Sequence, residues 1–226
     1  MNHNKIAVYD YETDGINPEE CSPVQIAAVI LDPRTLEYIP GAEFNSMMRP
    51  PDFDDPFYYQ NHKSTIEWHA KLRGIPSSEV LALWSVAPSQ KSVWEQYSSF
   101  LAKYNKNPAK PTEFGAPIAA GYNIIGFDNI ICNRLKVVHK TKFLYNRVNK
   151  FDLMDLLHSW FENSPEVEKM SLDYLRGYLG MTGVSIANAH DALQDVRDTA
   201  QILIRLLKLQ RHLGQKVQFK DSFNRK

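Results

Sequence analysis

The chain has 226 residues, 43% hydrophobic and 23% charged, with 26 basic residues balancing 26 acidic ones. Such a chain buries enough surface to fold as one globular domain without staples. Its zero formal charge excludes a general electrostatic grip on a polyanion, so any nucleic acid must be held locally.

Ile6-Ala7-Val8-Tyr9 reads as a short buried strand, broken by Asp14-Gly15 and Asn17-Pro18. Val24–Leu31 is a second strand, closed by Asp32-Pro33, and Leu36–Met48 a third with a kink at Pro40-Gly41. Three strands in succession predict an antiparallel meander opening a mixed sheet. Residues 50–115 form a helical and loop excursion: an acidic, aromatic loop over Asp52–Tyr59, then helices over Thr65–Leu72, Ser77–Trp84 and Gln90–Tyr104. Pro117–Gly121 is a further strand, and a helix runs from Asn129. Asp152–Phe161 and Ser171–Leu179 are helical, and the longest helix spans Ala192 to about His212. Residues 1–213 therefore read as a single domain and 214–226 as a basic, flexible tail. Trp68, Trp84, Trp94 and Trp160, at helical spacing, are expected in the core.

No apolar run is long enough to span a bilayer, and the N-terminus has no signal-peptide pattern. Cys21 and Cys132 form no CxxC pair and are expected as reduced thiols. A soluble, cytoplasmic protein is the expectation, with no membrane partner.

The chemistry-bearing residues fall in three separated pieces. Asp10 and Glu12 lie two apart on a strand, so both carboxylates share a face. Their mutual repulsion would be relieved by a divalent cation. Asp128 shares a helical face with Ile131 and Leu135, which argues against a solvated side chain. Asn123 lies at the strand-to-helix turn before it. On the last helix, Asp195 falls at the edge of the apolar stripe, with Asp191 and Asp198 further toward the polar side. Asp191 and Gln194 fit an N-cap and N3 pair. His190 then stands just before the positive end of the helix, which favours the neutral imidazole a general base needs. Taken together, the pieces predict a cage for two divalent metals beside a histidine. Cations about 3.5–4 Å apart can activate water and stabilise a leaving oxygen in phosphodiester cleavage. Oxygen-only ligands favour Mg²⁺, with Mn²⁺ able to substitute.

These motifs, with Gly121-Tyr122-Asn123, Phe127-Asp128, Phe151-Asp152-Leu153-Met154-Asp155 and Asn188-Ala189-His190-Asp191, resemble the DEDDh branch of the 3′–5′ exonucleases, in particular the nuclease domain of bacterial exonuclease I. The resemblance implies an α/β, RNase H-like fold: a five-stranded mixed sheet flanked by helices. It implies Asp10, Glu12, Asp128 and Asp195 as ligands of two Mg²⁺ ions, Asp10 bridging both, and His190 as the base that deprotonates water. It further implies that Thr13, through its backbone, and Asn123 meet the substrate. Asp152 and Asp155 match the family pattern but fit a structural role at a helix start. Arg73-Gly74-Ile75 loosely matches a loop near the family's cleft. The implied activity is hydrolysis of single-stranded DNA from its 3′ end to nucleoside 5′-monophosphates. A polymerase or repair factor would be a natural protein partner. The runner-up activity is a 3′–5′ exoribonuclease on the same fold, and the metals alone do not separate the two. A non-catalytic binding or polymerase-associated module is disfavoured because all five site positions are filled. An all-α metal phosphohydrolase is disfavoured by the N-terminal strands. The loop at Asp52–Tyr59 has no counterpart in the family pattern; its aromatics suit either packing or base stacking.

Overall fold

The computed structural model describes residues 3–181 and 191–217. Strands β1 (Ile6–Thr13), β2 (Pro23–Asp32) and β3 (Glu37–Met47) form the predicted antiparallel meander. β4 (Ile118–Gly121) pairs in parallel with β1, and β5 (Lys150–Asp152) in parallel with β4, giving the order β3-β2-β1-β4-β5. The sheet is thus mixed and five-stranded, as the resemblance implied. β5 was not legible in the sequence: it is too short to show a period and runs straight into a helix.

The helices are α1 (Tyr58–Arg73), α2 (Ser77–Val86), α3 (Gln90–Ala102), α4 (Asp128–Val138), α5 (Leu153–Phe161), α6 (Leu172–Tyr178) and α7 (Ala192–Val217). Two depart from expectation. α1 starts at Tyr58, inside the stretch expected to be a loop, because Tyr58 is buried against Phe53 with ring centroids 5.1 Å apart. α7 continues through Gly214 to Val217 rather than ending near His212.

Alternation along β1 divides the core into two layers. Ala7, Tyr9 and Tyr11 face a cluster with Trp94 and Tyr97 of α3 and Ile131 and Leu135 of α4. Ile6 and Val8 face the other cluster, with Leu153 of α5, Leu175 of α6 and Val196 and Leu203 of α7. Asp10 and Glu12 continue the row of Ile6 and Val8, so the carboxylates project to the layer that α7 covers. The excursion adds a third cluster from Val24, Tyr58, Ile66, Val80 and Trp84. Trp84 and Trp94 are core residues as expected, whereas Trp68 and Trp160 are 43% and 41% exposed.

Gly121 closes β4 where two chain segments nearly touch. A Cβ there would lie 2.2 Å from Cγ2 of Ile124 and 2.8 Å from the Tyr9 carbonyl oxygen. Only glycine lets the chain turn from β4 into the loop before α4 at that separation.

Candidate active site

Asp10 and Glu12 on β1 meet Asp195 in the first turn of α7, with one carboxylate oxygen of each within 4.8 Å of the others. The Asp191 cap forms as the sequence predicts, whereas Nε2 of Gln194 donates forward to Oδ1 of Asp198 at 2.9 Å. Oδ1 of Asp191 accepts from the amides of Leu193 and Gln194, at 3.1 and 3.4 Å. Its other oxygen accepts from Nε2 of Gln25 at 3.1 Å. Gln25 is the cross-strand partner of Glu12. A buried amide on β2 therefore pins the α7 N-terminus beside the carboxylate it must face. Nothing in the sequence marks Gln25, because a lone glutamine in an apolar strand gives no periodic signal.

Asp128 comes from the opposite layer. β4 meets β1 only over Ile6–Val8, so β1 runs past this parallel neighbour. The amide of Tyr11 is met there by Oδ1 of Asp128 at 3.0 Å. Asp128 is 3% exposed, as its place on the apolar face of α4 predicted. It lies outside the 4.8 Å group but close enough for its charge to act on Asp10.

Burial pushes the Asp10 carboxyl well above the usual range, and the charges of Asp128, Glu12 and Asp195 push it further. Burial also raises Glu12, with Asp195 adding to the shift and Arg73 opposing it. Asp128 is raised to about 7 by burial, against the opposing hydrogen bond from Tyr11. Several carboxylates held together in a largely buried site resist ionisation together, and a hard divalent cation among their oxygens would relieve that strain. The all-oxygen donor set suits a hard divalent cation.

The remaining predicted residues divide. Asp152 takes the structural role expected of it: Oδ1 accepts from the amides of Met154 and Asn123, and Oδ2 from that of Ile125. It thereby caps α5 and fixes the loop carrying Asn123, whose φ of 55° is left-handed. The Asn123 side chain lies over Gly126. Oγ1 of Thr13 donates to the Gly15 carbonyl at 2.7 Å. The proximity of Arg73 to Glu12, felt in the latter's titration, puts the start of the Arg73-Gly74-Ile75 segment near the carboxylates. Asp198, expected toward the polar side of its helix, is instead 3% exposed, because Arg176 of α6 covers it with Nε 2.8 Å from Oδ2. His190 lies outside the described residues.

The excursion has a direct link to the site that the sequence did not reveal. Along one side of α1, Nε2 of His69 bonds the Thr13 carbonyl and Nδ1 of His62 the Asp14 carbonyl, each at 2.9 Å. Tyr58 donates to Oδ2 of the fully buried Asp14 at 2.9 Å. The aromatic end of the acidic loop thus holds the chain just beyond Glu12.

Residues 7–203 match the RNase_T family, described as an exonuclease. No curated protein matches the sequence. Similar solved structures include E. coli exonuclease I in complex with a dT13 oligonucleotide, at 20% identity and TM-score 0.65, covering 95% of this chain and 43% of that one. Exonuclease I from Methylocaldum szegediense gives 22% and 0.63, covering 91% and 40%. Cell-death related nuclease 4 gives 15% and 0.63, covering 91% and 64%. The chain spans about two-fifths of the length of these exonuclease I chains, and at such identities the likeness shows the shared RNase H-like fold. With the family match running from β1 into α7 and enclosing all the clustered carboxylates, the chain belongs to the RNase_T exonuclease family of nuclease hydrolases.

Proposed function

We propose that the chain is a divalent-metal-dependent 3′–5′ exonuclease that hydrolyses single-stranded DNA to nucleoside 5′-monophosphates. The observation that carries this reading is the meeting of Asp10, Glu12 and Asp195 within 4.8 Å, with buried Asp128 beside them. These four carboxylates would hold two Mg²⁺ ions, with Mn²⁺ as a substitute. Bound there, the ions would supply Lewis-acid neutralisation of charge on the scissile phosphate.

The protein's own part is to hold the carboxylates in fixed places. Tyr11 orients Asp128, while Asp191 and Gln25 set the start of α7. In this reading His190, next to the Asp191 cap, accepts the proton of the attacking water. Thr13 and Asn123 receive the terminal nucleotide. The solved exonuclease I complexes with dT13 and dA16 support single-stranded DNA as the substrate.

Oligodeoxynucleotides labelled at the 5′ end test the reading. A ladder shortening from the 3′ end with Mg²⁺, and abolished by Asp10→Ala, is the expected result. Absence of shortening under any divalent metal rejects it. Matched DNA and RNA oligomers in competition settle the substrate, since the 2′-hydroxyl is the group that differs; faster loss of the RNA would make the enzyme an exoribonuclease.

A further inference from the structure

Arg176 of α6 is only 8% exposed, and its guanidinium is held on three sides. Nη2 donates to Oδ1 of Asp195 at 2.5 Å and Nη1 to Oδ1 of Asp173 at 2.6 Å, while Nε lies 2.8 Å from Oδ2 of Asp198 as an ion pair without hydrogen-bond alignment. Asp198 sits nearly one turn beyond Asp195, so both carboxylates present to the same fork. Asp198 is itself fixed through its other oxygen, which accepts from Nε2 of Gln194 at 2.9 Å. Closing α6 onto α7 does not call for this arrangement, because Leu175 and Val196 already join the two helices in one apolar cluster. Ion pairs removed from water are expensive to assemble and contribute little net stability. What the guanidinium adds is directional: its planar set of donors meets one oxygen of each of three carboxylates and so sets where those oxygens stand relative to one another.

We propose that Arg176 is a positioning residue, which grips one oxygen of Asp195 and so holds that carboxylate in the orientation that meets Asp10 and Glu12. Asp198 supports the guanidinium as its counter-charge on the far side and is not a ligand. This rests on the metal-site reading above. It also gives Asp198, otherwise an unexplained buried acid, its purpose.

Titration calorimetry of Mn²⁺ into the full chain tests the assignment, alongside the Mn²⁺ concentration giving half-maximal nuclease rate. The variants are Arg176→Met, Arg176→Lys and Asp198→Asn, each measured below its melting temperature. Groups that orient a ligand typically change metal affinity by about 10–100-fold when lost. Arg176→Met and Asp198→Asn are expected to weaken Mn²⁺ binding within that range, with Arg176→Lys failing to restore it because an ammonium has no fork. Folded Arg176→Met with wild-type Mn²⁺ affinity would reduce the residue to a helix tether and overturn the proposal. Tighter binding would overturn it too, by making Arg176 a competitor of the metal. Full recovery with lysine would also overturn it, leaving a charge effect without orientation. Should Arg176→Met not fold, the near-isosteric Asp198→Asn decides by the same readout. Wild-type chain that binds no Mn²⁺ removes the metal reading itself; wild-type binding with unaltered variants removes only the role of Arg176.

Discussion

The backbone amide of Tyr11 donates to Oδ1 of Asp128 across 3.0 Å, so a carboxylate stands where a longer β4 would have placed a carbonyl. This hydrogen bond joins the two layers of the molecule at the site and puts a buried acid beside Asp10.

A pH dependence follows from that burial. Asp128 titrates at about 7 in the folded chain, whereas an aspartate in the unfolded chain titrates near ~3.9. Between those values the native state binds more protons than the unfolded state, so this group's contribution to stability declines as pH rises through the window. Asp10 and Glu12 are shifted in the same direction. Asp128→Asn keeps an acceptor for Tyr11 and removes the charge. In EDTA, its melting temperature relative to wild type should climb between about pH 4 and pH 7. A constant difference across that range would show that Asp128 is not a strained acid. The same variant should lose at least about 100-fold in nuclease rate, since a ligand matters no less than the groups behind it.

Metal addition should reverse the strain. Mn²⁺ at about 100 times its dissociation constant should stabilise the native state by about 2.7 kcal/mol. The gain should be larger at high than at low pH, because binding requires the carboxylates to give up their protons. Melting curves with and without Mn²⁺ measure it, and Asp10→Asn should diminish the shift. An equal shift in that variant would place the metal elsewhere.

Gln25 should matter more to activity than a strand residue ordinarily would. Gln25→Met preserves bulk but leaves Oδ2 of Asp191 without its partner from β2. A loss of about 1–3 kcal/mol in denaturant unfolding is expected. A drop in nuclease rate should accompany it as the α7 N-terminus loosens. Unchanged rate would mean that the Asp191 cap alone sets the position of Asp195.

His190→Ala should lower the rate by about 10²–10⁴-fold while leaving the Mn²⁺-induced melting shift intact. Wild-type activity should also fall below about pH 6.5 as the imidazole protonates. A variant with near-wild-type turnover would remove the histidine from the mechanism.

Gly121→Ala should destabilise the fold by about 1–3 kcal/mol, since its methyl group would meet both Ile124 and the Tyr9 carbonyl. Chemical denaturation gives the value. A neutral result would mean that the turn from β4 can open without cost.

Much of the site was readable one element at a time. Strand alternation put Asp10 and Glu12 on one face, and helical phase chose Asp195 over Asp191 and assigned the cap. Both are local periods, written in residues a few positions apart. The same logic misplaced Asp198, because the phase of a helix cannot register a charge arriving from another helix. Arg176 makes that buried position tolerable, and nothing in the α7 sequence announces it.

The sequence by itself determined which carboxylates are candidates to hold a metal, which faces of β1 and α7 they occupy, and where α7 begins. Only the tertiary structure decided how those faces meet. It brings Gln25 to Asp191, Asp128 to Tyr11, His62 and His69 to the carbonyls beyond Glu12, and Arg176 to Asp195. Each is a single polar contact between segments distant in the chain. Such contacts have no period to read, and they form only once the apolar layers on either side of β1 have closed.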